Sequence, residues 1–147
     1  MTKELDGTQV TRIIEDNHPG MVLDTKGSDI WIQPDGIRAV ATLLKQDPDL
    51  LLSTLRAITA VDYVEYFEII YHLLSMKKNQ SLVLKLKCFG RDDPVVDSVV
   101  DIWKGADLQE REIWDLMGIH FEGHPNLKRV LLWEGFPGHP LRKDFIR

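Results

Sequence analysis

Within residues 81–89 the apolar residues Leu82, Leu84, Leu86 and Cys88 take every second position, with Val83, Lys85, Lys87 and Phe89 between them. A period of two sends successive side chains to opposite sides of the backbone, so the run predicts a strand with one wholly apolar face and one mixed face. The apolar face needs a cover. Residues 66–76 make a second strand, joined to the first through a Lys77-Lys78-Asn79-Gln80 hairpin loop. Residues 51–63 are apolar enough for a third, mostly buried strand, although Leu51 and Leu52 also suit a turn.

The cover lies upstream. Residues 5–17 place Val10, Ile13 and Ile14 near one helical face, and His18-Pro19-Gly20 ends that helix. Short strands follow at residues 21–24 and 30–33, around a Lys26-Gly27-Ser28 turn. Pro34-Asp35-Gly36 introduces a second helix to about Lys45, with Ile37, Val40, Ala41 and Leu44 on one side, and Asp47-Pro48-Asp49 stops it. The expected fold class is α+β, with two helices packed on a largely antiparallel sheet in the order helix–hairpin–helix–three strands.

Past Phe89 the pattern changes. Asp92-Asp93-Pro94 is expected to open a short helix over residues 95–100. Asp107, three residues before Glu110, forms an aspartate-led capping box for a helix that ends at Gly118. From there to the end the chain has no convincing periodicity and is expected to be an ordered extended arm. The expected organisation is therefore an α+β sandwich over residues 1–105 that folds alone. Residues 106–147 form a helix and a C-terminal docking arm, not an independent domain.

Composition excludes several function classes. A chain of 147 residues fits one domain. Its single cysteine, Cys88, cannot close an intrachain disulfide or ligate an iron–sulfur cluster, and among three leucines it reads as inert. The N-terminal residues show no signal-peptide pattern, and no run reaches the ~18 apolar residues of a membrane span. Residues 1–117 carry 13 basic and 20 acidic side chains, residues 118–147 carry 5 and 3. An acidic body argues against nucleic-acid binding and suits a mildly basic tail that docks on protein.

Candidate chemistry is sparse. No nucleophile elbow, phosphate loop or dinucleotide fingerprint is present. His72 reads as a structural histidine. Glu110-Arg111-Glu112-Ile113-Trp114-Asp115 fans round a helix at about 100° per residue, so the two glutamates do not face one another as a catalytic pair. The cluster is either a solvated face or an interface helix, with Arg111 forking onto a partner carboxylate and Trp114 as a buried anchor. His120 and His124 have zinc-ligand spacing only if helical, which Gly118, Gly123 and Pro125 oppose. A small stand-alone metal-binding protein using His120, His124 and Glu110 is the alternative from a different class. The tail mixes cations with Trp133, Phe136 and Phe145; it either wraps its own domain or reaches across a neighbour.

Several separated motifs carry a resemblance. Asp101-Ile102-Trp103, Glu110-Arg111-Glu112-Ile113-Trp114-Asp115-Leu116-Met117-Gly118-Ile119, Phe121-Glu122-Gly123-His124-Pro125 and Gly138-His139-Pro140-Leu141-Arg142-Lys143-Asp144 closely resemble the 30 kDa subunit family of respiratory complex I, the NADH–quinone oxidoreductase. Thr59-Ala60-Val61-Asp62-Tyr63 and Tyr71-His72-Leu73-Leu74 resemble it too, as does the spacing from the helix motif to His124, Lys128 and Val130-Leu131. One stretch departs: Trp133-Glu134-Gly135-Phe136-Pro137 stands where the family has a proline–acidic–tryptophan run.

The resemblance implies a non-catalytic subunit of the complex I peripheral arm, in electron transport coupled to proton translocation. It implies no cofactor on this chain, with iron–sulfur clusters and a flavin or other donor site on partners. The expected partners are the quinone-site subunit and iron–sulfur subunits, with no nucleic acid and no direct membrane span. The expected location is the cytoplasmic side of the inner (cell) membrane, held there through the complex. The expected partner-interface residues are Glu110, Arg111, Glu112, Trp114, Asp115, His124, Lys128, Arg129, His139, Arg142 and Lys143. Similar chains occur in membrane-bound hydrogenases and F420H2 dehydrogenases, so the donor (NADH, reduced F420 or ferredoxin) stays open.

Overall fold

The computed structural model describes residues 2–146. The central alternation forms β6 (Gln80–Cys88), the heart of a six-stranded sheet. In chain order β1 (Lys3–Glu4) leads into helix α1 (Gly7–Asn17), whose first turn is capped by the Asp6 carboxylate accepting from Thr8 N–H. The hairpin β2 (Val22–Lys26) and β3 (Asp29–Ile32) follows, then a 3-10 turn and helix α2 (Ile37–Gln46). Strands β4 (Thr54–Asp62), β5 (Phe67–Ser75) and β6 complete the sheet in the order β2-β3-β6-β5-β4.

Register explains the single core. Phe67 faces Cys88, Ile69 faces Leu86, Tyr71 faces Leu84 and Leu73 faces Leu82, so β5 and β6 present one continuous apolar surface. Ile30 and Ile32 of β3 extend it beside Leu84 and Leu86, and Ile58 of β4 extends it beside Tyr71. Val10 and Ile14 of α1 and Ile37, Val40, Ala41 and Leu44 of α2 belong to the same buried cluster. Each valine, leucine or isoleucine among them contributes roughly 1.5–3 kcal/mol on burial. The other face is mixed: Lys85 pairs with Asp29 at 3.1 Å and lies over the Trp31 ring at 4.7 Å.

The α+β class is observed, with local differences. The β3–β6 and β1–β6 pairings are parallel, because the α2 crossover and the β4–β5 hairpin intervene before β6. β4 begins at Thr54; Leu51, at φ 45°, directly follows the turn over residues 48–50. The helix expected over residues 95–100 is instead β7 (Val95–Asp97), paired in parallel with β8 (His120–Glu122). Four of those six residues are valine, whose branched side chains favour strand once an extended partner is available.

Helix α3 (Ala106–Met117) forms as expected, and Gly118 takes the left-handed cap conformation at φ 75°. The capping box does not form: Gly105 is the N-cap, with no side-chain cap bond, because Glu110 turns inward. α3 lies along β4, and its Gln109 side chain accepts the Ile58 N–H on that edge strand at 2.5 Å. Ala106, Ile113, Met117, Ile119 and Phe121 are members of the one buried cluster. That packing argues against independent folding of residues 1–105. The extended arm starts after β8.

Candidate functional site

α3 carries two fully buried carboxylates on different sides, Glu110 and Asp115, both 0% exposed. Glu110 faces the body. Ser98 Oγ donates to its Oε1 at 2.6 Å and Val99 N–H to its Oε2 at 2.9 Å. Burial is the largest influence and pushes the Glu110 carboxyl above its ordinary value, against those two donors.

Asp115 faces the arm. Its Oδ2 accepts the N–H groups of Val130, Leu131 and Leu132 at 3.0, 2.7 and 2.9 Å, and its Oδ1 accepts Arg129 Nη1 at 2.8 Å. Burial would raise this carboxyl, but the Leu132 N–H, the Arg129 guanidinium and the N–H groups of Leu131 and Val130 outweigh it and hold it at about 2. Arg129 then reaches onward: Nη1 to the Asp115 carbonyl at 3.0 Å, Nη2 to the carbonyls of Phe136 and Gly138 at 2.8 Å each. One carboxylate and one guanidinium thus close the base of the loop over residues 130–138.

Further bonds fix the arm along α3. Arg111 Nε and Nη2 donate to the carbonyls of Lys128 and Arg129 at 3.3 and 3.4 Å. His139 Nδ1 lies 2.9 Å from the Asp115 carbonyl, and a Cβ at Gly118 would stand only 2.7 Å from that imidazole. The half-buried Trp114 ring contacts His139 at 5.1 Å and His120 at 6.1 Å. His124, its side chain buried, has Nε2 3.1 Å from both the carbonyl and Oδ1 of Asp107, while Nδ1 accepts Asn126 N–H. Glu112, Lys128 and Lys143 are exposed.

The end of the arm is held at a second centre. Asp62, buried at the end of β4, accepts Arg91 Nη1 and Nη2 at 2.6 and 3.0 Å and the backbone N–H of Lys143 at 2.8 Å. The Arg91 guanidinium, helped by the Lys143 and Val64 N–H groups and opposed by burial, holds Asp62 far below the ordinary carboxylate range. Arg142 forks onto Asp144 at 2.8 and 2.9 Å and donates to the Arg91 carbonyl at 2.7 Å. Arg142, opposed by burial and joined by Arg91, holds Asp144 at about 2. Both guanidiniums lie over the Phe67 ring, at 4.9 and 5.1 Å.

Of the eleven expected interface residues, the structure turns Glu110 and Asp115 inward and commits Arg111, Arg129, His139 and Arg142 to bonds within the chain. The arm wraps its own domain. Sequence reading missed Asp62, Arg91, Ser98 and Asp144 as partners. The available signal was a carboxylate on the apolar face of β4, a place where an unpaired charge is not tolerated. His120 pairs with Glu122 and His124 with Asp107, and no three metal-ligating side chains meet among the described residues. Chemically, the arrangement is a clamp that holds backbone by buried carboxylates.

The comparisons with known proteins agree in direction. Residues 30–147 match the family described as respiratory-chain NADH dehydrogenase, 30 kDa subunit. An NADH-quinone oxidoreductase subunit of Azorhizobium caulinodans is 46% identical over 115 residues, covering 76% of this chain and 54% of that protein. The chain spans little more than half the length of such curated relatives, 54–59% for three of them. A trypsin-resistant fragment of Nqo5 superposes with a TM-score of 0.62 at 25% identity, covering 81% of this chain and 99% of the fragment. A chain of the membrane-bound sulfane sulfur reductase, an archaeal respiratory membrane complex, shares the fold, with a TM-score of 0.76 at 24% identity over 95% of this chain and 85% of that one. The match over residues 30–147 and relatives of this identity show that the chain belongs to the family of the 30 kDa subunit of respiratory-chain NADH dehydrogenase.

Proposed function

We propose that this chain is a non-catalytic subunit of the peripheral arm of a complex I-type NADH:quinone oxidoreductase, supporting assembly of the quinone-site and iron–sulfur subunits. The observation that carries the reading is the arm. Its backbone is pinned by Asp115, Arg129 and Asp62, while Leu131, Trp133, Leu141 and Ile146 remain exposed on it. A rigid backbone that displays large apolar side chains is built for contact with protein. In this reading the electron carriers sit on partner subunits, and the chain reaches the cytoplasmic side of the membrane through them. Among the described residues no helix is long and apolar enough to cross a membrane.

Deleting the gene and restoring it in trans tests the reading. Membranes without the chain are expected to lose quinone-dependent NADH oxidation and to accumulate a subcomplex that regains activity when the chain is added. Full activity without the chain, or a stoichiometric prosthetic group in the purified chain, overturns it. The shared fold with a sulfane sulfur reductase chain favours a second reading, the same role in a related membrane-bound complex such as a hydrogenase or F420H2 dehydrogenase. The donor oxidised by the purified complex separates the two.

A further inference from the structure

We propose that the loop over residues 130–138 is a docking knob, and that Trp133 enters an apolar pocket, with a hydrogen-bond acceptor for its indole N–H, on another subunit of the same oxidoreductase complex. This rests on the assembly role proposed above and specifies where the contact is made.

The loop's base and tip obey opposite rules. At the base every strong group is matched: three N–H groups and a guanidinium meet Asp115, and Arg129 closes on the Phe136 and Gly138 carbonyls. At the tip Trp133 is 65% and Leu131 60% exposed. A chain that uses a buried ion pair to fix a surface loop, and then leaves indole and isobutyl groups in water, is incomplete by itself.

The tip is also pre-shaped. The Trp133 ring meets Phe136 edge-on at 5.8 Å, and Phe136 stacks on Phe145 at 6.3 Å. Gly135 adopts φ 91°, and a Cβ there would stand 3.3 Å from the Trp133 ring. The indole therefore has a fixed seat before binding. A side chain already immobilised spares the ordering cost that association otherwise carries. A rigid tryptophan on a matched base is the usual make-up of an interface hot spot.

Area sets the size of the contact. A tryptophan contributes about 150–250 Å², and a stable specific interface needs about 800 Å² from each partner. One knob is too small to hold any partner alone and fits as the anchor of a larger contact along the arm; membership of a subunit family of a multi-subunit oxidoreductase points to another subunit as the occupant.

The test uses the full chain and the subcomplex purified from cells lacking it. Trp133→Ala is expected to weaken rebinding roughly tenfold or more in Kd, with Trp133→Phe intermediate and the melting temperature of the free chain little changed. Leu131→Asp, a second exposed position, should weaken rebinding too and guards against an unfolded tryptophan variant. Wild-type rebinding by both folded variants overturns the knob. If an arm-wide lesion such as Asp115→Asn still abolishes rebinding in that case, the assembly role survives. If the subcomplex neither needs nor takes up the wild-type chain, the assembly role itself has failed. Loss of self-association alone, with rebinding intact, would make a second copy the occupant and also overturn the proposal.

Discussion

Glu110 and Asp115 sit five residues apart on one helix and are both shut off from solvent, yet one carboxyl is pushed above its ordinary value and the other is held at about 2. The difference lies in what meets them. Glu110 receives one hydroxyl and one backbone N–H from the body, with His124 acting on it only through space. Asp115 receives three backbone N–H groups and a guanidinium, all from the arm. An acid matched by so many donors gains more from its charge than it loses in hydration, whereas Glu110 does not. The body side of α3 is therefore joined by packing, and the arm side by charge.

The largest test asks whether the body side of α3 is part of the core. A chain ending at Gly105 loses Ala106, Ile113, Met117, Ile119 and Phe121 from the buried cluster. Removing large buried side chains costs about 2–5 kcal/mol each, and a whole domain holds only about 5–15 kcal/mol. Such a chain is expected to lack a cooperative urea transition; a sharp one would show that residues 1–105 fold alone after all.

Next, Asp115→Asn strands the Arg129 guanidinium and should cost about 3–5 kcal/mol, the scale of a broken buried pair. Its pH signature follows from the lowered pKa. Ionised Asp115 stabilises the fold above the ordinary carboxylate range, and that stability is lost as pH falls toward about 2. The variant should shrink the acid limb of a stability–pH curve, leaving the shares of Asp62, held lower still, and of Asp144, also held at about 2. Limited proteolysis should then cut within residues 123–138 first. A variant as stable as wild type breaks the comparison.

Asp62→Asn is expected to cost about 1–3 kcal/mol, because the network keeps Asp144 beside Arg91 and Arg142. Protection from hydrogen exchange should drop at residues 139–145 and stay unchanged at residues 130–132, which Asp115 holds. The smallest effect belongs to Glu110→Gln, about 1 kcal/mol near neutral pH. Here the sign reverses: a folded pKa above the unfolded one means stability falls as pH rises through that window, and the glutamine should abolish this fall. A Glu110→Gln effect larger than that of Asp115→Asn would invert the account of the two carboxylates.

Much of the fold was legible because it repeats locally. The alternation ending at Cys88 and the helical spacing of Val10, Ile14, Val40 and Leu44 each announce a buried face within a few residues, and those faces are buried. The 95–100 segment was not legible, since a short valine-rich run chooses strand only when β8, more than twenty residues later, supplies its partner. The motif residues of α3 and the arm were legible as a group from their family pattern, but the directions of their bonds were not. Arg111, Arg129 and Arg142 read as cations free for a partner, and the structure commits all three to the chain's own carbonyls.

By itself the sequence determined which faces must leave water, where the helices stop and to which family the chain belongs, because periodicity, glycine and motif are properties of neighbouring residues. Tertiary structure alone decided the parallel β3–β6 pairing, the inward turn of Glu110 and the capture of the arm by Asp115 and Asp62. The pairing depends on where the crossover returns the chain, and the other two on which distant groups arrive to compensate a buried charge. For Lys143 meeting Asp62, that group lies eighty-one residues away.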